Sequence, residues 1–334
     1  MQNNVALIIV FNHRYDKNIP LLESIYEGRF SNIYYLVPFY DGEKENVIPV
    51  YESSFQFQGY MAQGFKQYFR EEYEHYLFVA DDLLLHPSIN ETNYKEYFGL
   101  GKDTSFIPEI FPLHDLPNND TVRFIPSDKK PGKEKWYWWR LKQLVHYKHG
   151  SEGVETKNEM PSYEDAEAVI MKHGYNLRPL SASDIFGSFL SYADRRTPKE
   201  LVKYLLNRLA YRKGFELPYP VVGSYSDIVI VSKPAIKKFA HYCGVFAANG
   251  LFVEFAIPTA LLLSSAKVMT EPQLGKRGLI YWAYSKEEAA NYAAALKPFS
   301  NNLVSLLTNF PKNKLYIHPI KLSKWNFATV KEQA

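Results

Sequence analysis

Residues 5–11, Val-Ala-Leu-Ile-Ile-Val-Phe, form an unbroken apolar run. A strand with one face in water alternates apolar and polar residues. A continuous run of this length instead predicts a strand buried on both faces, as in a mostly parallel sheet covered by helices. Residues 18–26 follow, with Ile19, Leu22 and Ile25 at near-helical spacing. Residues 33–38 read as a second strand, closed by the turn signal Phe39-Tyr40-Asp41-Gly42. A helix over 59–73 and a third strand over 76–80 complete the series. The order β-α-β-α-β predicts an α/β fold with a doubly wound, mostly parallel sheet and helices on both faces. Ligands of such sheets bind beyond the carboxyl ends of the strands. Asn12, His13, Asp41, Asp81 and Asp82 stand at those ends.

The rest of the chain is less regular. Residues 99–135 are rich in Pro, Gly, Asp and Asn and read as loops around a short strand at 104–107. Helices are expected over 135–147, 163–173 and 199–212, with a polar connection at 151–161. Residues 227–231, Asp-Ile-Val-Ile-Val, read as another buried strand, followed by a helix at 234–243. The apolar stretch 251–265 is expected to turn helical after Pro258, since proline suits a first helical turn. One or two helices over 287–308 and a late strand at 315–320 finish the chain. The expected organisation is a ligand-binding half over 1–100, a loop-rich and helical insertion over 101–215, and completion of the core over 216–334.

Composition excludes several classes. The 334 residues carry a net charge of +3, too little to make nucleic acid the main partner. Cys243 is the single cysteine, so neither an internal disulfide nor a cysteine zinc site is available, which suits a reducing, cytoplasmic setting. The 5–11 run is too short for a signal peptide or a membrane span. Aromatic residues reach 16%, as a ring-rich core or as stacking surfaces for sugars and bases. No P-loop, no G-x-G-x-x-G after the first strand and no G-x-S-x-G elbow is present.

The sharpest chemical feature is Asp81-Asp82, emerging from Tyr-Leu-Phe-Val-Ala. Two carboxylates at the end of a buried strand are costly unless compensated. A divalent cation with a diphosphate is one compensation, because Mg²⁺ and Mn²⁺ take oxygen ligands and bridge carboxylates to phosphates. A plain strand-end turn is the other reading.

Three segments, Ile8-Ile9-Val10-Phe11-Asn12-His13-Arg14, Val37-Pro38-Phe39-Tyr40-Asp41-Gly42 and Phe78-Val79-Ala80-Asp81-Asp82, occur in this order over the first 90 residues. Together they resemble the GT-A superfamily of nucleotide-sugar glycosyltransferases. In that fold the first strand ends near the base, a second carries an Asp to the nucleoside, and a third ends in an acidic D-x-D motif. This chain has Ala-Asp-Asp-Leu instead. The resemblance implies Mn²⁺ or Mg²⁺ as cofactor, with Asp82 favoured as metal ligand and Asp81 toward the ribose or behind the ligand. It implies a UDP- or GDP-sugar donor, held by Asn12, His13, Asp41 and Asp81, and a glycan or lipid-linked acceptor. His318, in Leu315-Tyr316-Ile317-His318-Pro319, is similar to the late metal ligand of that family, and Lys321 is positioned to neutralise the diphosphate. A general base is implied near the acceptor. Glu254, alone among Leu-Phe-Val and Phe-Ala-Ile, is the first candidate, and a structural ion pair is its alternative. Asp227, in Gly223-Ser224-Tyr225-Ser226-Asp227, is the second, as base or as acceptor for a sugar hydroxyl.

Residues 129–149 interleave Lys129, Lys130, Lys133, Arg140 and Lys142 with Trp136, Tyr137, Trp138 and Trp139. Such a segment suits single-stranded nucleic acid, stacking on sugar rings, a diphosphate-lipid acceptor, a peripheral membrane contact, or a solvated helix with one buried aromatic face. A non-catalytic GT-A-like module that binds glycans or an assembly partner is the rival to the enzyme.

Overall fold

A computed structural model of the chain describes residues 4–112, 157–175, 177, 221–281 and 286–327. The expected helices at 135–147 and 199–212 and the aromatic and basic cluster at 129–149 lie outside the described residues.

Seven strands form the main sheet: β1 (Val5–Val10), β2 (Ile33–Pro38), β3 (Val47–Val50), β4 (His75–Ala80), β6 (Thr104–Phe106), β9 (Ile228–Ser232) and β10 (Lys267–Met269). Their spatial order is β10-β6-β9-β4-β1-β2-β3. Six run in one direction. Only β9 is reversed, pairing antiparallel with both β4 and β6. All six residues of β1 and all six of β4 are buried, as an unbroken apolar run requires of central strands. Each large aliphatic side chain so buried contributes about 1.5–3 kcal/mol, so the centre of this sheet anchors the fold. Thr104–Phe106 falls within the expected 101–215 insertion, yet it is a strand of the main sheet.

Helices flank the sheet. The helix over residues 59–73 is replaced by two short ones, Gln58–Gln63 and Phe65–Tyr68, after which Phe69 turns extended. The longer helix Lys233–Ala248 packs on the first of these through small residues. A Cβ on Gly59 would lie 3.1 Å from that of Ala247, and one on Gly244 would lie 3.2 Å from that of Ala62. Strand β3 was not expected, because Pro49 interrupts its apolar pattern; at the sheet edge the missing N–H costs nothing.

The apolar helix starts at Val253, five residues before Pro258, and not after it. Proline at the sixth position has no N–H to donate to the carbonyl of Glu254. That carbonyl accepts instead from Ser224 N–H, at 3.0 Å. The proline thus ties the helix to the segment leading into β9 without breaking it.

A smaller sheet holds the C-terminal part. Strand β5 (Leu84–Leu85) pairs antiparallel with β12 (Lys314–His318), which runs parallel to β11 (Arg277–Ile280). A separate two-stranded ladder joins β7 (Phe111–Pro112) to β8 (Val222–Gly223). The Tyr316 hydroxyl donates to the carboxylate of buried Glu271 at 2.7 Å. Its ring passes so close to Gly278 that a Cβ there would lie 2.3 Å away. Among the described residues no helix is long and apolar enough to cross a membrane.

Candidate functional site at the carboxyl edge of the sheet

From β1, the sheet continues to β2 on one side and to β4 on the other. The crevice beyond the carboxyl ends of two such strands is where doubly wound sheets bind ligands. The last rungs of the ladder build this edge. Asp81 N–H donates to Val10 O at 3.0 Å, and Ala80 N–H donates to Asp227 O at 2.8 Å. Because β9 is reversed, its amino end lies where the parallel strands end. That reversal brings Asp227 to the Asp81-Asp82 edge across 145 residues of sequence.

Asp81 is buried, 6% exposed, and its carboxylate accepts from the backbone N–H of Asn12. Burial, with the neighbouring Asp82 adding to it, raises its pKa to about 7, against the pull of Asn12 and His318. Asp82 meets His318. Nε2 of the imidazole lies 3.0 Å from Oδ1 of the carboxylate, an ion-pair distance without hydrogen-bond alignment. Among the described residues, Oδ1 of Asp82 and Nδ1 of His318 are buried without a hydrogen-bond partner. Burial pulls the pKa of His318 down, but Asp227, Asp82 and Asp81 together outweigh it and the net shift is upward. Three carboxylates acting on one imidazole therefore favour its protonated form against burial.

The meeting of Asp82 and His318 follows from strand pairing. Leu84 and Leu85 lie just past Asp82 and pair with Ile317 and Tyr316, so β12 delivers its final residue to the acidic edge. Ile320 N–H then donates to Asp82 O at 2.6 Å, which folds residues 319–321 over the pair. Lys321 is exposed on that segment. Tyr225, wholly buried, sets its ring edge against the His318 ring at a centroid distance of 5.5 Å.

The other expected residues lie around this centre. Asn12 lines a small cavity with Ser226 and Asp227. His13 is exposed against Tyr15, and Asp41 is exposed and ion-paired to Arg14. Glu254 is buried in the first turn of its helix, beside Ser224.

Sequence reasoning took Phe39 only as part of a turn. Its φ is +54°, a region bulky side chains rarely occupy, and its ring is 58% exposed at the carboxyl end of β2. Tyr51, past the end of β3, packs edge-on against it at 5.7 Å and is itself exposed. An apolar ring in a polar turn, Phe-Tyr-Asp-Gly, was the available signal. Tyr225 and Tyr292 had none beyond the high aromatic content.

A divalent cation fits part of this site. Asp82 offers a shielded carboxylate oxygen with no hydrogen-bond donor, and His318 faces it with a nitrogen that ligates once deprotonated. Among the described residues no group of three His, Cys, Asp or Glu side chains is close enough to hold a metal alone. The arrangement suits a cation that takes two protein ligands and completes its shell with phosphate oxygens and water. No family model and no curated protein matches the chain.

Proposed function

We propose that the chain is a glycosyltransferase of the GT-A type that moves a sugar from UDP or GDP to a glycan or lipid-linked acceptor with Mn²⁺ or Mg²⁺. The observation that carries this reading is the convergence of Asp81, Asp82, Asp227 and His318 on one crevice at the carboxyl ends of β1 and β4. Asp82 and His318 hold the cation. When bound, the cation offsets negative charge growing on the departing diphosphate. Asp81, fixed by Asn12 N–H, supports Asp82 from behind and meets the ribose. Lys321, exposed on the segment over Asp82, meets the diphosphate, and the exposed rings of Phe39 and Tyr51 stack on the base. Glu254, buried in the first turn of its helix, is assigned the acceptor-side base, and Asp227, one of the carboxylates acting on His318, is the second candidate. A cytoplasmic setting at the inner membrane face fits a lipid-linked acceptor.

Thermal unfolding with UDP or GDP tests the assignment. Nucleotide at 100 times its Kd adds about 2.7 kcal/mol of stability, and this gain is expected only when Mn²⁺ is present. Equal protection in chelator would remove the metal from the reading. Glu254→Gln is expected to lower sugar transfer by about 10²–10⁴-fold while keeping that protection. A variant that transfers normally but melts early makes Glu254 a structural residue. The departure of Ala80-Asp81-Asp82-Leu83 from a D-x-D motif favours a second reading, a non-catalytic glycan- or partner-binding module. Nucleotide binding without any hydrolysis or transfer across a panel of nucleotide sugars would decide for it.

A further inference from the structure

A histidine that ligates a metal ordinarily has its ring fixed by a hydrogen bond from the second nitrogen. In His318 that nitrogen, Nδ1, has no partner among the described residues. The ring is oriented by other means, and the backbone on either side of it supplies them. The carbonyl of His318 accepts from Tyr281 N–H at 3.0 Å. The N–H of Ile320 donates to Asp82 O at 2.6 Å. Between these two main-chain bonds, the carbonyl of Pro319 accepts from the Tyr292 hydroxyl at 3.0 Å.

The Tyr292 bond is the only one of the three made by a side chain. Tyr292 lies on the helix Lys286–Leu296, an element that contributes no strand to either sheet. Its ring stacks on Tyr281, at 5.3 Å and 23° between planes, so one residue supports two of the three anchors. Burial raises the Tyr292 pKa, and the Asp82 charge raises it further, which keeps the phenol a donor and sets it close to the acidic edge.

We infer that Tyr292 is a positioning residue: its hydroxyl holds the His318–Pro319 turn and so aims the imidazole at Asp82. The inference rests on the proposed metal site. It predicts that the helix at 286–296, read from sequence as an ordinary late helix, sets the cation affinity of a site to which it contributes no ligand.

The test is a double-mutant cycle read as Mn²⁺ affinity, by calorimetry or by the spin-resonance signal of free Mn²⁺, without nucleotide. Tyr292→Phe keeps the ring and the stack on Tyr281 and removes only the hydroxyl. It is expected to weaken Mn²⁺ binding by about 10-fold, within the span for groups that orient a ligand, with the melting temperature close to that of the parent. His318→Ala is expected to weaken binding by about 10–100-fold. The double variant should bind no worse than His318→Ala alone, because the hydroxyl acts through the imidazole. Additive losses, or parent-like affinity in Tyr292→Phe, overturn the positioning role and leave the metal site standing. A parent chain that does not bind Mn²⁺ overturns both. Should Tyr292→Phe unfold, Tyr292→Leu, which also lacks the hydroxyl donor, is measured in its place, and parent-like affinity there has the same negative meaning.

Discussion

Two enclosed histidines in this protein are shifted in opposite directions. His75 opens β4, and His318 closes β12. Both ring nitrogens of His75 meet neutral groups, and the charges of Lys95 and Glu74 act on it in opposite directions. Nδ1 lies 2.9 Å from the Tyr94 hydroxyl, and Nε2 lies 3.1 Å and 3.2 Å from the carbonyls of Gly101 and Thr104. Two carbonyls can only accept, so Nε2 carries the proton and Nδ1 accepts from the tyrosine. Burial then lowers its pKa to about 4, and the neutral ring is satisfied on both sides. His318, its side chain 13% exposed, is nearly as shielded. Yet Asp227, Asp82 and Asp81 turn the net shift upward, and one of its nitrogens lacks a hydrogen-bond partner among the described residues. Burial does not by itself set the charge of an imidazole; the balance between desolvation and neighbouring carboxylates does. The two ends of β4 differ in the same way. At His75 the polar groups are matched by neutral partners, and just past Ala80 neighbouring carboxylates act on a single imidazole.

The largest expected effect breaks the comparison at the acidic end. Asp82→Ala should abolish Mn²⁺-dependent stabilisation by UDP or GDP while leaving far-ultraviolet circular dichroism unchanged. Normal metal-dependent binding in that variant would mean that the two histidines differ for no functional reason. At the other end, His75→Ala deletes a ring with partners at both nitrogens. It should cost about 2–4 kcal/mol in urea unfolding and leave the nucleotide response intact. Loss of nucleotide binding without loss of stability would reverse the two roles.

Smaller effects sharpen the contrast through pH. The folded-state pKa of His75 lies below the ordinary value of 6.5, so the unfolded chain takes up the proton first. Its contribution is therefore complete above pH 6.5 and is lost as pH falls toward 4. The loss is on the order of 2–3 kcal/mol, and His75→Gln should remove that part of the acid sensitivity. Asp81 carries the opposite sign. Its pKa is raised from 3.8 to about 7, so the folded chain keeps the proton longer and stability falls as pH rises through that interval. In chelator, Asp81→Asn should be more stable than the parent at pH 8 by about 1–2 kcal/mol and no more stable at pH 4. Identical pH profiles would show that Asp81 is already compensated without metal.

Much of this molecule is written locally. The unbroken apolar runs of β1 and of β4 demanded central, doubly covered strands, because a side chain of that kind has nowhere else to go. The turn chemistry after β2 and the paired acids after β4 followed as strand-end residues, so the carboxyl edge is legible in the order of the residues alone. The helix at 253–264 was misjudged because a local rule, proline in the first turn, gave way to a tertiary one. The Glu254 carbonyl freed by Pro258 found Ser224 N–H, and the helix continued.

Sequence by itself determined that the central strands are buried and where the acids emerge, since both depend on runs of a few neighbours. Only the tertiary structure decided that β9 is reversed, that Asp227 thereby joins Asp81 and Asp82, and that β12 pairs with the two residues beyond them to bring in His318. Those outcomes depend on strand direction and register between segments more than a hundred residues apart. Hydrogen bonds between backbones, which carry no side-chain signature, fix them.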